Sequence, residues 1–490
     1  MKRLLKVLTI HPFLFALFPI IALYYSNIGE LSLFELGLPI FLVLISATLL
    51  FLTSILIFRS ISKGAVMTTL FITLFFSYGH LAHYFNKYLI LSVSLILIIT
   101  ATYLLIKAKQ PLYSITKVLN IMSVCLIAVP VISTTVYEIQ RSPHTTQFIA
   151  YDNITQQPYA LPDIYYIVLD TYTSNSVLTK YYDFDNSNFL DHLTSEGFYV
   201  APDSRSNYGG TWFSLATSLN MQYAHILANK PEYYTDMLPI LEFTKNNAVG
   251  HFLQAQGYEY IHVGSRWEDQ VNPYADINFT SSNTSDFRTT LWNSTMLSLL
   301  PTKYIEPIIE LDASRLHYNT ALKQFNSLLE ISTMQRDQPL FVSAHLVLPH
   351  IPLIFDANGN YILSDPRPEE KESRYVSQLS YLNKRLSEIV DSILANSATP
   401  PVIILQGDHG PLWETYNFKP TEQQSDEIYL HILNAILLPP DAPLYASMTP
   451  INTFRVVFNY YFGTDYEMLE EKSYIGRDLD KAYKFWEVDA

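Results

Sequence analysis

Val402-Ile403-Ile404-Leu405-Gln406-Gly407-Asp408-His409-Gly410-Pro411 reads as a short buried strand that runs straight into an acid and an imidazole. Four consecutive apolar residues, three of them β-branched, make the strand. Comparable runs recur at Ile164–Leu169 (IYYIVL), 258–263, 340–347 and 432–438. Helical patterns lie between them, at 186–196, 238–256, 317–330 and 373–395. Strands alternating with helices predict a mainly parallel sheet sandwiched by helices on both faces.

Ligands of such sheets bind beyond the carboxyl ends of the strands. The residues directly after each strand are therefore the ones to inspect. Asp170 follows the first run, Pro349-His350-Ile351-Pro352 follows the 340–347 run, and Gln406-Gly407-Asp408-His409 follows Val402–Leu405. Three acidic or imidazole clusters on one edge predict a metal site. Carboxylate with imidazole suits one divalent ion, Zn or Mn ahead of Mg or Ca.

Upstream the character of the chain changes. Residues 1–141 carry ten Lys/Arg and three Asp/Glu, whereas the remainder carries 21 and 42. Five apolar runs, near 7–27, 34–58, 65–84, 88–106 and 118–137, each approach the ~20 residues that cross a bilayer as a helix. Lys2, Arg3, Lys6, Arg59, Lys63, Lys107, Lys109 and Lys117 lie in the connections of one side, against Lys87 on the other. The positive-inside rule then puts the N-terminus in the cytoplasm and everything after about residue 140 outside it. The expected organisation is a multi-span α-helical membrane domain over 1–140, a polar linker over 141–160, and an extracytoplasmic α/β domain over 161–490. The lipid bilayer is thus one partner. His80 and His83, near the outer end of the third run, read as an interfacial pair.

Charge and cysteine content exclude other classes. A net charge of −14 argues against nucleic acid. The single cysteine, Cys125, lies in an apolar run, which excludes an intrachain disulfide and a thiolate cluster. Oligomeric state is not encoded in any pattern of the chain.

A nucleophile candidate stands in Ser206-Asn207-Tyr208-Gly209-Gly210-Thr211-Trp212. Two glycines permit a tight turn, and Thr211 opens a helical run. A hydroxyl there serves either as an N-cap or, beside a divalent cation, as a nucleophile toward phosphorus or sulfur. Asp408-His409 in the same chain favours the second role.

Asp170, Thr211, His350 in His-Ile-Pro, and Gly407-Asp408-His409-Gly410 together resemble the alkaline phosphatase/sulfatase superfamily. With the apolar spans in front, the layout resembles its lipoteichoic acid synthase and phosphoethanolamine transferase branch. The resemblance implies one metal held by Asp170, Thr211, Asp408 and His409, with Thr211 as nucleophile. It implies that His345 and His350 contact substrate, and that His350 serves the leaving group. Asp170 stands where the branch often has Glu. Ile451-Asn452-Thr453 resembles a closing segment without chemistry of its own. Sulfatases oxidise a Cys or Ser in a Cys/Ser-x-Pro-x-Arg context; Ser204-Arg205-Ser206-Asn207 lacks the Pro and the spacing. The implied activity is metal-dependent transfer of a phosphoryl-linked head group from a membrane phospholipid to an envelope lipid or glycan. Rival expectations are a phosphoester or sulfate ester hydrolase, and a non-catalytic envelope sensor or scaffold.

Other polar residues have blander roles as alternatives. His345 equally suits a buried strand end, and Asp163 precedes the first strand at the wrong edge. Arg205, Arg266 and Arg455 are phosphate-clamp candidates or ordinary charges. Trp413 walls the site or packs in the core. The Asn-x-Ser/Thr triplets at Asn153, Asn278, Asn283 and Asn293 carry little information.

Overall fold

A computed structural model describes residues 8–28, 33–140, 161–224, 237–265, 271–280, 286–300, 313–362, 366–411, 415–416, 418–477, 481 and 483–488. The chain forms two compact units, Met1–Pro143 with Thr284–Ala313, and His144–Asn283 with Ser314–Ala490.

In the first unit all five apolar runs are helical: α1 (His11–Ser26), α2 (Gly37–Phe58), α3 (Ile61–Ala82), α4 (Lys87–Lys107) and α5 (Tyr113–Gln140). Four of them, α2 to α5, are long and apolar enough to cross a membrane. The 16 residues of α1 span about 24 Å, against a hydrocarbon core of about 30 Å. Polar side chains tie α1 to its neighbours. His11 Nδ1 lies 2.6 Å from Thr69 Oγ1, and Asn120 Oδ1 accepts the N–H groups of Ile10 and His11. His80 and His83 are exposed near the end of α3. A short helix, Asp286–Asn293, belongs to this unit. Its Phe287 packs with Ile20 and Tyr24, and the Gly79 N–H donates to the Ser294 carbonyl at 2.9 Å.

The second unit is built on a seven-stranded sheet. Its strands are β1 (Ile164–Leu169), β2 (Tyr199–Val200), β3 (Glu259–Val263), β4 (Ile277–Phe279), β5 (Leu340–Leu346), β6 (Val402–Gly407) and β7 (Asn434–Leu437), in the order β2-β7-β6-β1-β5-β3-β4. The strands from β6 to β4 are parallel, and β7 and β2 add antiparallel pairs at one edge. Side chains alternate across the sheet with period two. Tyr165, Ile167 and Leu169 enter one core with Phe325, Leu382 and Leu386. Ile164, Tyr166 and Val168 enter the other with Phe252, Phe454 and Phe458. Both faces of the central strands are covered, which is why they read as unbroken apolar runs.

One predicted helix divides. The 238–256 pattern forms Leu238–Lys245 and Ala248–Ala255, because Asn247 takes an extended conformation and its Oδ1 caps Gly250 N at 2.7 Å. The 141–160 segment lies outside the described residues.

Candidate active site

Strand register builds the site. Leu169 pairs with Leu346 on β5 and with Gly407 on β6. The next residues, Asp170 and Asp408, therefore leave neighbouring strands side by side, and parallel strands lie about 4.8 Å apart. His345, the last but one residue of β5, pairs with Val168. Its Nε2 lies 3.6 Å from Asp170 Oδ2. Thr171 takes a left-handed conformation, φ 63°, unusual for a β-branched residue. That turn aims its N–H at Asp408 Oδ1, 2.9 Å away. The buried Tyr375 hydroxyl donates to the Thr171 carbonyl at 2.7 Å and holds the turn.

Close backbone approach explains both glycines of Gly407-Asp408-His409-Gly410. A Cβ on Gly407 would collide with the Tyr172 carbonyl, and one on Gly410 with the Ile428 carbonyl. Two hydroxyls, those of Ser206 and Ser214, donate to the Asp408 carbonyl, the second at 2.7 Å. The His409 ring is oriented by its own loop. Nδ1 lies 2.7 Å from the Gly410 carbonyl. A carbonyl only accepts, so Nδ1 carries the proton and Nε2 presents a lone pair.

Thr211 meets that lone pair. Its Oγ1 lies 3.2 Å from His409 Nε2. Gly210, extended at φ −168°, occupies the N-cap of the helix Thr211–Asn220, and Thr211 is the first helical residue without a side-chain capping bond. The hydroxyl thus stands at a helix N-terminus, where free N–H groups and the dipole favour anions.

Asp170, His345, Asp408 and His409 are each at most 4% exposed. His409 Nε2 lies 3.5 Å from Asp408 Oδ2 and 3.9 Å from Asp170 Oδ1. Asp408 Oδ2 accepts no hydrogen bond among the described residues. Ligand atoms of Asp170, His345 and Asp408 lie within 4.8 Å of one another. Two carboxylates buried together repel, and the side chains described beside them are imidazoles. This donor set fits a divalent cation.

The structure thus brings together Asp170, Thr211, His345, Asp408 and His409. His350 is held by the loop after β5, its Nδ1 2.6 Å from the Ile351 carbonyl and its own carbonyl accepting from Gln378 Nε2 at 2.9 Å. Asp163 lies at the opposite edge, where its Oδ1 accepts Leu340 N at 2.8 Å. Arg455 is buried and donates to the carbonyls of Met221 and Glu467. Arg205 forms a backbone bridge with His431. In the 451–453 segment, the Ile451 N–H donates to Asn207 Oδ1 and Thr453 Oγ1 accepts from Gln406 Nε2. Asn278 is bonded to Asn272, and Asn293 is exposed. Arg266, Trp413, Asn153 and Asn283 lie outside the described residues. Thr171, Ser206, Ser214 and Tyr375 escape a reading of sequence, because their roles arise from contacts between distant segments.

Comparison with known proteins follows the same residues. The sulfatase family model matches residues 162–441. No curated protein is similar in sequence. Among solved structures, the C-terminal periplasmic domain of EptC from Escherichia coli, in complex with Zn, is 12% identical with a TM-score of 0.45, covering 69% of this chain and 94% of that one. A second structure of that domain is 14% identical, TM-score 0.41, covering 67% and 93%. A putative sulfatase from Bacteroides thetaiotaomicron is 13% identical, TM-score 0.39, covering 62% and 72%. The family match spans more than half of the chain, from the start of β1 past Asp408-His409 and β7, and the chain belongs to the sulfatase family, within the alkaline phosphatase/sulfatase superfamily.

Proposed function

We propose that this protein is a membrane-anchored, metal-dependent phosphotransferase whose catalytic domain, 161–490, faces away from the cytoplasm. In this reading α1 to α5 all cross the cytoplasmic membrane and 141–160 is the linker. The observation that carries it is Thr211 Oγ1 at 3.2 Å from His409 Nε2, at a helix start where the hydroxyl has no capping role.

Asp170, Thr211, Asp408 and His409 would hold one divalent ion, Zn or Mn, with His345 within reach of the same carboxylates. When bound, that ion supplies positive charge that favours the Thr211 alkoxide and neutralises the transferring phosphoryl oxygens. The Thr211 hydroxyl gives up its proton to solvent when the site is loaded; Oγ1 then attacks phosphorus in line, and the helix N-terminus behind it favours the negative group. The new Oγ–P bond forms as the P–O bond to the glycerolipid breaks. The departing oxygen takes the Nε2 proton of His350 in its doubly protonated form, while Nδ1–H stays on Ile351 O and leaves a neutral imidazole. An alcohol of an envelope lipid or glycan then attacks the phosphothreonine, gives its proton to the neutral His350 and releases the Thr211 oxygen as the Oγ–P bond breaks. Anchoring raises the effective concentration of lipid head groups at the site.

Neither alternative hydroxyl suits the role. Ser204 Oγ donates to the Met448 carbonyl and Ser206 Oγ to the carbonyls of Tyr208 and Asp408. Cys125 lies in α5. Formylglycine chemistry therefore has no residue to act on among these.

The test is mass spectrometry of the full chain after incubation with phospholipid vesicles. A phosphoryl-linked adduct on the peptide holding Thr211 is expected. An adduct elsewhere, or full turnover in Thr211→Ala, contradicts the reading. Product analysis then separates a modified acceptor from simple hydrolysis.

A further inference from the structure

After Asn283 the chain leaves the α/β unit, joins the helical unit, and re-enters the α/β unit at Ser314. The described part of this excursion, 286–300, is the helix Asp286–Asn293 and a 3-10 turn, Met296–Leu299. Its contacts fall toward one end of the bundle. Phe287 packs with Ile20 and Tyr24, in the last two turns of α1. Arg288 Nε lies 3.5 Å from Glu35 Oε2, just before α2. The Ser294 carbonyl accepts the N–H of Gly79, in the last turn of α3. Leu291 reaches further in, against the cluster of Ala16, Ala47, Ile72 and Phe76. Gly79 permits the approach, since a Cβ there would collide with the Asn293 carbonyl oxygen. In the orientation proposed above, this is the end turned away from the cytoplasm.

The bond to Gly79 also sets a depth. Tyr84, Phe85 and Tyr88 are exposed between α3 and the start of α4, as in an aromatic belt at a bilayer interface. Tyr84 lies five residues beyond Gly79, about 8 Å at helical rise. Leu299 lies five residues beyond Ser294, about 10 Å at the rise of a 3-10 turn. An interfacial zone is of that order, about 5–8 Å on each side of the hydrocarbon core. Leu299 and Leu300 are 37% and 46% exposed. The other large apolar side chains exposed beyond residue 140, among the described residues, are Val271, Met334 and Met468, single positions in the α/β unit. Scattered singles are ordinary on a surface in water; two adjacent leucines level with an aromatic belt fit lipid.

We propose that 286–300 is an interfacial element whose Leu299 and Leu300 sit among the phospholipids of the non-cytoplasmic leaflet. It gives the α/β unit a second covalent connection to the membrane besides 141–160, which keeps that unit near a lipid donor. The placement rests on the membrane-spanning reading of α1 to α5, and it is measured without turnover. Leu97→Cys, Leu299→Cys, Leu300→Cys and Met468→Cys are made singly in a Cys125→Ser background and spin-labelled. The full chain is reconstituted in vesicles of phosphatidylethanolamine and phosphatidylglycerol. Collision with oxygen, which partitions into lipid, and with a water-soluble nickel chelate then reports depth. The label at Leu97, midway along α4, should read as hydrocarbon, and the label at Met468, exposed to the same 37% as Leu299, should read as water. Labels at Leu299 and Leu300 should lie about 5–10 Å below the phosphate level. Either of them colliding with the chelate as freely as Met468→Cys, with Leu97→Cys in lipid, would overturn the assignment. A label at Leu97 in water would remove the membrane-spanning reading and this element with it. Absence of a Thr211 adduct with Leu299 and Leu300 in lipid would instead remove the phosphotransferase reading alone.

Discussion

The two ends of β1 carry carboxylates seven residues apart, Asp163 half-buried and Asp170 buried, and they are wired differently. Asp163, before the strand, accepts Leu340 N through its side chain while its carbonyl accepts Val402 N. Burial raises its pKa, opposed by the Leu340 N–H and the charge of Arg336. Every described partner there is a donor that locks strands together. Asp170, after the strand, faces His345 and His409 and shares its surroundings with Asp408. The same residue type is a staple at one end of the strand and a ligand candidate at the other, because only the carboxyl ends of parallel strands converge on an open edge.

Substitution should separate these ends. Thr211→Ala should lower turnover by at least about 10³-fold, while circular dichroism and melting stay near wild type, since Gly210 is the N-cap. Thr211→Ser should retain part of the rate. Asp163→Ala should do the reverse. It leaves the Leu340 N–H unpaired and should cost about 1–3 kcal/mol in denaturant unfolding, with turnover per folded molecule preserved. A large loss of turnover in that variant would erase the contrast between the edges. Ser214→Ala removes one of two hydroxyls on the Asp408 carbonyl. Its expected effect is about 1 kcal/mol and about a tenfold fall in kcat from looser positioning of Asp408 and His409.

The smallest effect concerns pH and lies away from both ends. Burial, with Arg205 adding to it, holds His431 below the ordinary imidazole value, against the opposing Glu427 carbonyl. The unfolded chain then binds the proton more readily. This contribution is present above the ordinary histidine range and is lost as pH falls through it. Melting temperature should decline with acidification, and His431→Gln should flatten that decline. An unchanged profile in the variant would remove His431 from the account.

Legibility in the sequence follows from the same geometry. Asp170, Asp408 and His409 are readable because each directly follows a short apolar run, and a parallel sheet gathers such positions. Thr211 is readable from two glycines before a helix start. Thr171, Ser206, Ser214 and Tyr375 are not. Ser206 and Ser214 reach Asp408 across 202 and 194 residues, and Thr171 acts through a left-handed turn that its residue type disfavours. The antiparallel edge was hidden for a related reason: Asn434–Leu437 is apolar enough to suit either direction, and pairing alone decides it. The break at Asn246-Asn247 was masked by apolar residues that keep helical spacing across it. The grouping of Asp286–Asn293 with the apolar helices rests on Phe287 and Ser294 contacts that hydropathy does not register.

Metal content measures the central claim most directly. The full chain is purified, dialysed against metal-free buffer and submitted to elemental analysis alongside Asp408→Ala, His409→Ala and Asp163→Ala. The account predicts about one equivalent of Zn or Mn in the wild type, retention in Asp163→Ala, and loss in Asp408→Ala and His409→Ala with circular dichroism unchanged. Equal metal in the wild type and in both site variants would place the ion elsewhere and contradict the account.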